Sequence, residues 1–90
     1  MIQHLTQLRE EAVENLTKKE MIFNPCREDF KLKILGKEVV IPSREIKELT
    51  YNEAVLVKKH LADQVVGERE INYATPEILA DIYKEIEVKL

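Results

Sequence analysis

Hydrophobic positions in the first 16 residues recur at steps of three and four, which is the spacing of one face of a helix. Glutamines and glutamates fall elsewhere, so the pattern predicts an amphipathic helix over residues 1–20. The stripe could pack on the core of the domain or dock on a partner protein, and the pattern is compatible with both. The apolar positions are Ile2, Leu5, Leu8, Ala12, Val13 and Leu16.

The pattern changes to strict alternation over residues 29–34. Alternation places the apolar side chains on one face of a strand and the lysines on the other, which is typical of a half-buried strand. Gly36 can take the positive φ angle of a tight turn, and a second apolar run ends at Pro42, so we expect a β-hairpin. Residues 43–49 mix charges with two apolar positions. We expect them to form a third strand at the sheet edge or an extended connector.

Capping residues mark the starts of two further helices. Thr50 and Glu53 form a capping box, in which the hydroxyl accepts from the backbone N–H of Glu53 and the carboxylate reaches back. We expect this helix to begin at Tyr51 and to end at Gly67. Thr75, followed by proline and glutamate, predicts a last helix. The core face of the first of these helices is expected to contain Tyr51, Ala54, Val55, Leu61, Ala62 and Val65.

These elements combine into one small domain over residues 1–90, because 90 residues is the size of a single domain. We expect an α+β fold with an N-terminal helix, a small antiparallel β-hairpin or three-stranded meander, and two C-terminal helices. In this arrangement residues 1–20 form the amphipathic helix and residues 21–66 form a platform of hairpin and helix. Residues 67–90 form the C-terminal helix.

The composition is that of a folded chain, and it narrows the kinds of partner. The chain is 44% hydrophobic and 34% charged and contains two glycines, which favours regular structure over disorder. Its formal net charge is -3, and the basic residues are interleaved with acids, which argues against a nucleic-acid partner. No apolar run approaches the ~20 residues of a membrane span, and the first residues lack the pattern of a secretory signal. We therefore expect no membrane association.

Residue types that carry chemistry are sparse in this chain. His60 and Asp63 lie one helical turn apart, but a structural metal site needs about four ligands and a catalytic one about three. Cys26 is the lone cysteine, and a buried or idle thiol is its simplest interpretation. The two glycines stand apart rather than in a phosphate-binding loop. We therefore expect no enzymatic activity, no metal or other cofactor and no small-molecule substrate.

The middle of the chain carries a set of short motifs: Asn24-Pro25, Asp29-Phe30, Gly36, Ile41-Pro42 and Lys59-His60-Leu61-Ala62-Asp63. Together they resemble short proteins encoded among the virion structural genes of tailed bacteriophages. In those proteins an Asn-Pro segment precedes a strand, a glycine turn leads to an Ile-Pro-Ala-Gly-Glu stretch, and a helix carries Lys-His-Leu-Ala. This chain departs from the third element, since the residues after Pro42 are Ser-Arg-Glu. The resemblance covers residues 24–66, about half of the chain.

The resemblance implies a non-catalytic structural or accessory protein of a virion, in the capsid, at the portal vertex or in the tail. Its partners would be other virion proteins, it would be multicopy or homo-oligomeric, and it would be assembled in the host cytoplasm. A small intracellular regulatory adaptor or inhibitor that binds a host protein is the alternative. The candidate partner-binding residues are Ile2, Leu5, Leu8, Phe23 and Phe30.

Overall fold

The computed structural model of the protein describes residues 18–89. Within that range the strands form a three-stranded sheet of order β4-β1-β5 and a separate two-stranded sheet of β2 and β3, and all of these pairs are antiparallel. The two helices follow the fourth strand. In chain order the elements are β1 (Lys19–Phe23), β2 (Phe30–Ile34), β3 (Lys37–Ile41), β4 (Ile46–Thr50), α1 (Tyr51–Glu68), α2 (Pro76–Ile86) and β5 (Glu87–Val88).

The predicted architecture is wrong at the beginning of the described chain, although the α+β class is right. The N-terminal helix was expected to continue to residue 20, but Lys19 already lies in β1, opposite Thr50 of β4. Ile22 of β1 is fully buried between the sheet and the helices. Pairing of Lys19 and Glu20 with β4 overrides the local helical pattern here. The remainder of the predicted helix, residues 1–17, lies outside the described residues.

Of the two predicted strand arrangements, a hairpin or a three-stranded meander, the meander is wrong, because β4 pairs with β1 and not with the hairpin. The backbone of Asn24 explains this pairing. Its N–H donates to the carbonyl oxygen of Glu45 at 3.0 Å, and its carbonyl oxygen accepts from the N–H of Arg44 at 2.9 Å. These two bonds bring the end of β1 beside the start of β4. The hairpin of β2 and β3 is present as expected, with Ile34 opposite Lys37 across the turn.

Both expected helix starts are confirmed by their caps. The Thr50 hydroxyl accepts from the N–H of Glu53 at 3.2 Å, and the Thr50 N–H donates to a Glu53 carboxylate oxygen at 3.1 Å. At the second start, the Thr75 hydroxyl accepts from the N–H of Ile78 at 3.3 Å. The first helix ends later than expected, since Gly67 lies inside it.

The core lies where α1 and α2 pack against the two sheets. Ala54, Leu61, Ala62 and Val65 of α1 are buried as expected, but Val57 is also buried and Val55 is 46% exposed. Among residues 18–89 neither helix is long and apolar enough to cross a membrane. The principal buried residues are Ile22, Phe30, Ile41, Leu61, Val65, Ile82 and Ile86.

Candidate protein-binding surface

The turn between β2 and β3 places a leucine in an unusual conformation. Leu35 has a φ of 49° and Gly36 a φ of 79°, which together are typical of a type I′ hairpin turn. Asparagine or glycine usually occupies the first of these positions, since a bulky side chain there crowds the backbone. Leu35 is moreover fully exposed, with a relative accessibility of 102%. The hairpin thus presents a strained apolar side chain at its tip.

Leu35 lies at the edge of a groove between the hairpin and α1. The groove has a volume of ≈ 590 Å³, and its hairpin wall includes Leu32, Ile34 and Leu35. Its helix wall includes Leu56 and His60, one turn apart on α1. Leu56 is 45% exposed. The groove, called here the tip groove, is therefore an open surface with apolar side chains on both walls.

Lysines on the hairpin make the rim of the tip groove basic. Lys33 and Lys37 both line it, and the ammonium of Lys37 lies 3.3 Å from a carboxylate oxygen of Glu53 on α1. The pKa of Glu53 is lowered, first because the backbone N–H of Thr50 donates to its carboxylate, then by the Thr50 hydroxyl, with a smaller contribution from Lys37. The Lys37–Glu53 ion pair links the hairpin to α1 beside the groove.

The base of the hairpin is held by the side chain of Asn24, which is fully buried. Its amide nitrogen donates to the carbonyl oxygens of Glu28 at 3.0 Å and Ile41 at 2.9 Å. Its amide oxygen accepts from the N–H of Cys26 at 2.9 Å. No buried side-chain polar atom in residues 18–89 lacks a hydrogen-bond partner. The fold therefore accounts for the asparagine of the Asn-Pro motif.

The segment after β3 is hydrogen-bonded to the loop between β1 and β2. The N–H of Ser43 donates to the Asp29 carboxylate at 2.9 Å, and the Ser43 hydroxyl donates to the carbonyl oxygen of Cys26 at 2.6 Å. Arg44 then reverses the chain with a φ of 63°. The short motifs of residues 24–63 described above are called here the phage-protein pattern. Arg44 occupies the position at which this pattern has glycine, so the turn is kept although the glycine is missing.

The phage-protein pattern therefore divides into two sets of residues. Phe30 and Ile41 face each other across the hairpin and are buried, and Leu61 and Ala62 are buried on α1, so packing accounts for them. The other set is exposed on α1, and none of its members takes part in a described hydrogen bond or ion pair within residues 18–89. It consists of Lys59, His60 and Asp63, of which His60 lines the tip groove.

Of the five candidate partner-binding residues, the structure describes two. Phe23 is half-buried at the end of β1, opposite Ile46. Phe30 is 2% exposed and belongs to the core. The tip groove brings neither of them to its lining. Ile2, Leu5 and Leu8 lie outside the described residues.

Sequence reasoning missed Leu35 and Leu56. A signal for Leu35 was present, because a leucine directly before the glycine of a two-residue hairpin turn must point away from the sheet.

The adjacent lysines Lys58 and Lys59 have different surroundings in the fold. Lys58 lies 3.1 Å from a carboxylate oxygen of Glu20 on β1 and 3.2 Å from one of Glu87 on β5. Burial alone would lower the pKa of Lys58, but the hydrogen bonds to these two carboxylates outweigh it and raise the pKa. Lys58 thus joins the sheet to α1, and Lys59 alone of the pair points to solvent.

Cys26 and the residue types that bind metals are the candidates for chemistry in the described part of the chain. Cys26 is buried, and that burial, followed by its contact with Glu68, raises the pKa of the thiol to about 11. The thiol is therefore protonated at neutral pH and a weak nucleophile. Between residues 18 and 89 no three His, Cys, Asp or Glu side chains lie close enough together to hold a metal ion.

The chain matches no protein-family model, and no curated protein or solved structure is significantly similar to it. The tip groove and the exposed residues beside it on α1 are the features of the molecule from which a function can be argued.

Proposed function

We propose that the protein is a non-catalytic structural or accessory component of a tailed-bacteriophage virion and that it acts through protein–protein contacts. The observation that carries the proposal is Leu35, fully exposed and held at a positive φ. Such a residue lowers the stability of the isolated domain, and strained exposed residues of this kind are concentrated at functional contacts. A protein partner that covers Leu35 would gain binding free energy by burying its exposed apolar side chain.

The tip groove suits an amphipathic helix or a loop with a protruding apolar side chain. Leu35 and Leu56 would be the apolar anchors at its two walls. Lys33 on the rim would favour a partner with acidic side chains around the apolar ones. Contacts of this kind hold copies in a defined place and need no reactive group.

The assignment to a virion is supported by the exposed part of the phage-protein pattern. Lys59, His60 and Asp63 share the exposed side of α1, and packing gives no reason for their presence in the pattern. A contact surface shared by these virion proteins would explain the presence of the three residues. The protein would then be a multicopy capsid, portal-vertex or tail component that joins other virion proteins after synthesis in the host cytoplasm.

Quantitative mass spectrometry of purified particles tests the virion role directly. We expect the chain at a constant number of copies per particle after density-gradient purification and a high-salt wash. Its absence from particles, together with its recovery on a host protein from infected cells, would overturn the proposal in favour of a small adaptor or inhibitor.

Two neighbouring residues on α1 provide a matched test of the surface. Leu56 and Val55 are almost equally exposed, at 45% and 46%, but only Leu56 lines the tip groove. We expect Leu56→Ser to lower the number of copies per particle, since losing about 1.5 kcal/mol of apolar contact weakens binding about tenfold. Val55→Ser should leave the copy number unchanged. Equal losses from both variants would exclude the tip groove as the contact.

A further inference from the structure

A second exposed side chain of large apolar area lies in the loop between α1 and α2, residues 69–75, called here the Tyr73 loop. Tyr73 is 79% exposed. The N–H of Ile71 donates to a backbone carbonyl oxygen of α1 at 3.1 Å. The guanidinium of Arg69 donates to both carboxylate oxygens of Glu85 on α2, at 2.7 and 2.9 Å. Tyr73 therefore protrudes from a loop that is bonded to both helices.

The Tyr73 loop and the tip groove lie at opposite ends of α1. The groove is lined by the first turns of the helix, from Asn52 to His60, whereas the loop begins where the helix ends, after Glu68. About 12 Å of helix separates His60 from Glu68 at 1.5 Å per residue. Tyr73 does not line the groove. One copy of the domain therefore presents an apolar groove at one end of α1 and a protruding aromatic side chain at the other.

The two ends also carry opposite charge. In the hairpin, residues 31–38 contain three lysines and one glutamate, and two of the lysines line the groove. From the end of α1 into α2, residues 68–77 contain three glutamates and one arginine, and that arginine is already paired with α2. Glu70 and Glu77, on either side of Tyr73, are exposed and form no ion pair with another residue of the described range 18–89.

This distribution of charge favours one of the three ways in which two copies can bring these surfaces together. Two tip grooves facing each other would bring the lysines of both rims together, and two Tyr73 loops would bring the glutamates together. Like charges oppose both of these symmetric contacts. A Tyr73 loop against a tip groove instead joins opposite charges, and it places an aromatic side chain beside Leu35 and Leu56.

We propose that the protein associates with itself head to tail, with Tyr73 of one copy in the tip groove of the next, between Leu35 and Leu56. The glutamates beside Tyr73 then face Lys33 at the rim of the groove. Each added copy keeps one free groove and one free loop, so association gives a closed ring or a filament. The inference rests on the proposed function, because it fills the same groove, and it names a second copy of this chain as the occupant.

The size of the contact sets its expected strength. A tyrosine side chain buries roughly 150–250 Å², whereas a stable interface needs about 1,000 Å² or more. Each contact is therefore weak, and association depends on protein concentration. It also weakens with added salt, because the Debye length falls from about 10 Å at 0.1 M to about 3 Å at 1 M.

Sedimentation velocity of the purified full-length chain, over a range of concentrations, measures this association. At low salt we expect the average mass to rise with concentration. Tyr73→Ser should weaken the association at least about tenfold, because it removes the aromatic side chain that the groove buries. Asn72→Ser, at an exposed neighbour in the same loop, is the control and should leave the association unchanged. Circular dichroism checks that the variants fold.

Mixing two defective variants distinguishes a head-to-tail contact from a symmetric one. Tyr73→Ser keeps an intact groove, and Leu56→Ser keeps an intact loop. We expect each to be monomeric alone, whereas an equimolar mixture should form a dimer through the one remaining contact and nothing larger. Association of Tyr73→Ser at the strength of the natural chain would show that grooves meet each other and would overturn the inference.

Two further results would also overturn it. One is a monomer mass of the natural chain at every concentration up to about 1 mM, and the other is equal weakening by Tyr73→Ser and Asn72→Ser. Quantification in particles tests the proposed function separately. A monomeric chain that is present in particles contradicts only the inference, and a self-associating chain that is absent from particles contradicts only the virion role.

Discussion

The two ends of the hairpin differ in burial and in hydrogen bonding. At its base, Asn24 is buried and all its side-chain hydrogen bonds connect to the surrounding backbone. At its tip, Leu35 is exposed, strained and without contacts that stabilise the domain. The base is therefore stabilised by contacts within the domain, whereas the tip leaves an apolar side chain accessible to a partner.

This difference teaches how to interpret the phage-protein pattern. Residues of the pattern at the base, such as Asn24 and Ile41, would be needed by any protein with this fold, whatever it binds. Exposed residues near the tip, such as His60, are not needed by the fold. A resemblance at the base therefore supports a shared fold, and only a resemblance at the surface supports a shared partner.

The largest effect is expected from Asn24→Ala. It leaves the carbonyl oxygens of Glu28 and Ile41 and the N–H of Cys26 without their side-chain partner, at a cost of about 3 kcal/mol or more in unfolding free energy. Urea unfolding followed by circular dichroism measures it. Asn52→Ala, in the exposed wall of the tip groove, is the control and should change stability by less than about 0.5 kcal/mol. Similar effects of both changes would remove the distinction between base and tip.

A smaller effect of opposite sign is expected at the tip. Leu35→Asn should raise the unfolding free energy by about 1 kcal/mol, because asparagine tolerates the positive φ that the turn imposes. Under the proposed virion role, the same change should also reduce incorporation into particles, since it removes the apolar side chain proposed to contact the partner. Leu35→Ala separates the two effects: it removes the anchor but keeps the strain, so thermal or urea unfolding should remain close to that of the natural chain. An unchanged stability in Leu35→Asn would contradict the strain assigned to the tip.

The smallest expected effect on the unfolding free energy depends on pH and concerns Glu53, which pairs with Lys37 of the hairpin. The pKa of Glu53 is below its ordinary value of 4.5, first through the Thr50 backbone N–H. A carboxyl group with a lowered folded pKa stabilises the fold above its unfolded pKa, and this contribution is lost as pH falls through the folded value. We expect the unfolding free energy to decrease as pH falls below about 4.5. Glu53→Gln keeps an amide at the cap and should make this decrease shallower, and an identical pH profile would contradict the role of Glu53.

The sequence was sufficient to predict the elements that are determined by residues close together in the chain. The Thr50–Glu53 cap and the Thr75 cap involve residues three apart, and both were predicted correctly. The hairpin also follows from neighbouring residues, namely alternation on both sides of Gly36. These features could be predicted because their hydrogen bonds join residues close in the chain.

Elements that depend on residues far apart in the chain could not be predicted in this way. β1 requires β4, more than twenty residues later, and β5, more than sixty residues later. Nothing within residues 19–23 specifies either partner. The tip groove was missed for the same reason, since Leu56 becomes part of a surface only when the hairpin is placed beside α1.

The position of β5 has a consequence for the order of events during synthesis. β1 is among the first described residues to leave the ribosome, yet one of its neighbours in the sheet is residues 87–88, and Lys58 links the two strands through Glu20 and Glu87. The sheet cannot be completed until residue 88 has emerged, so one edge of β1 stays unpaired until then. This domain should therefore complete its folding after translation of these residues, and a chain truncated before residue 87 should be more sensitive to protease than the chain of 90 residues.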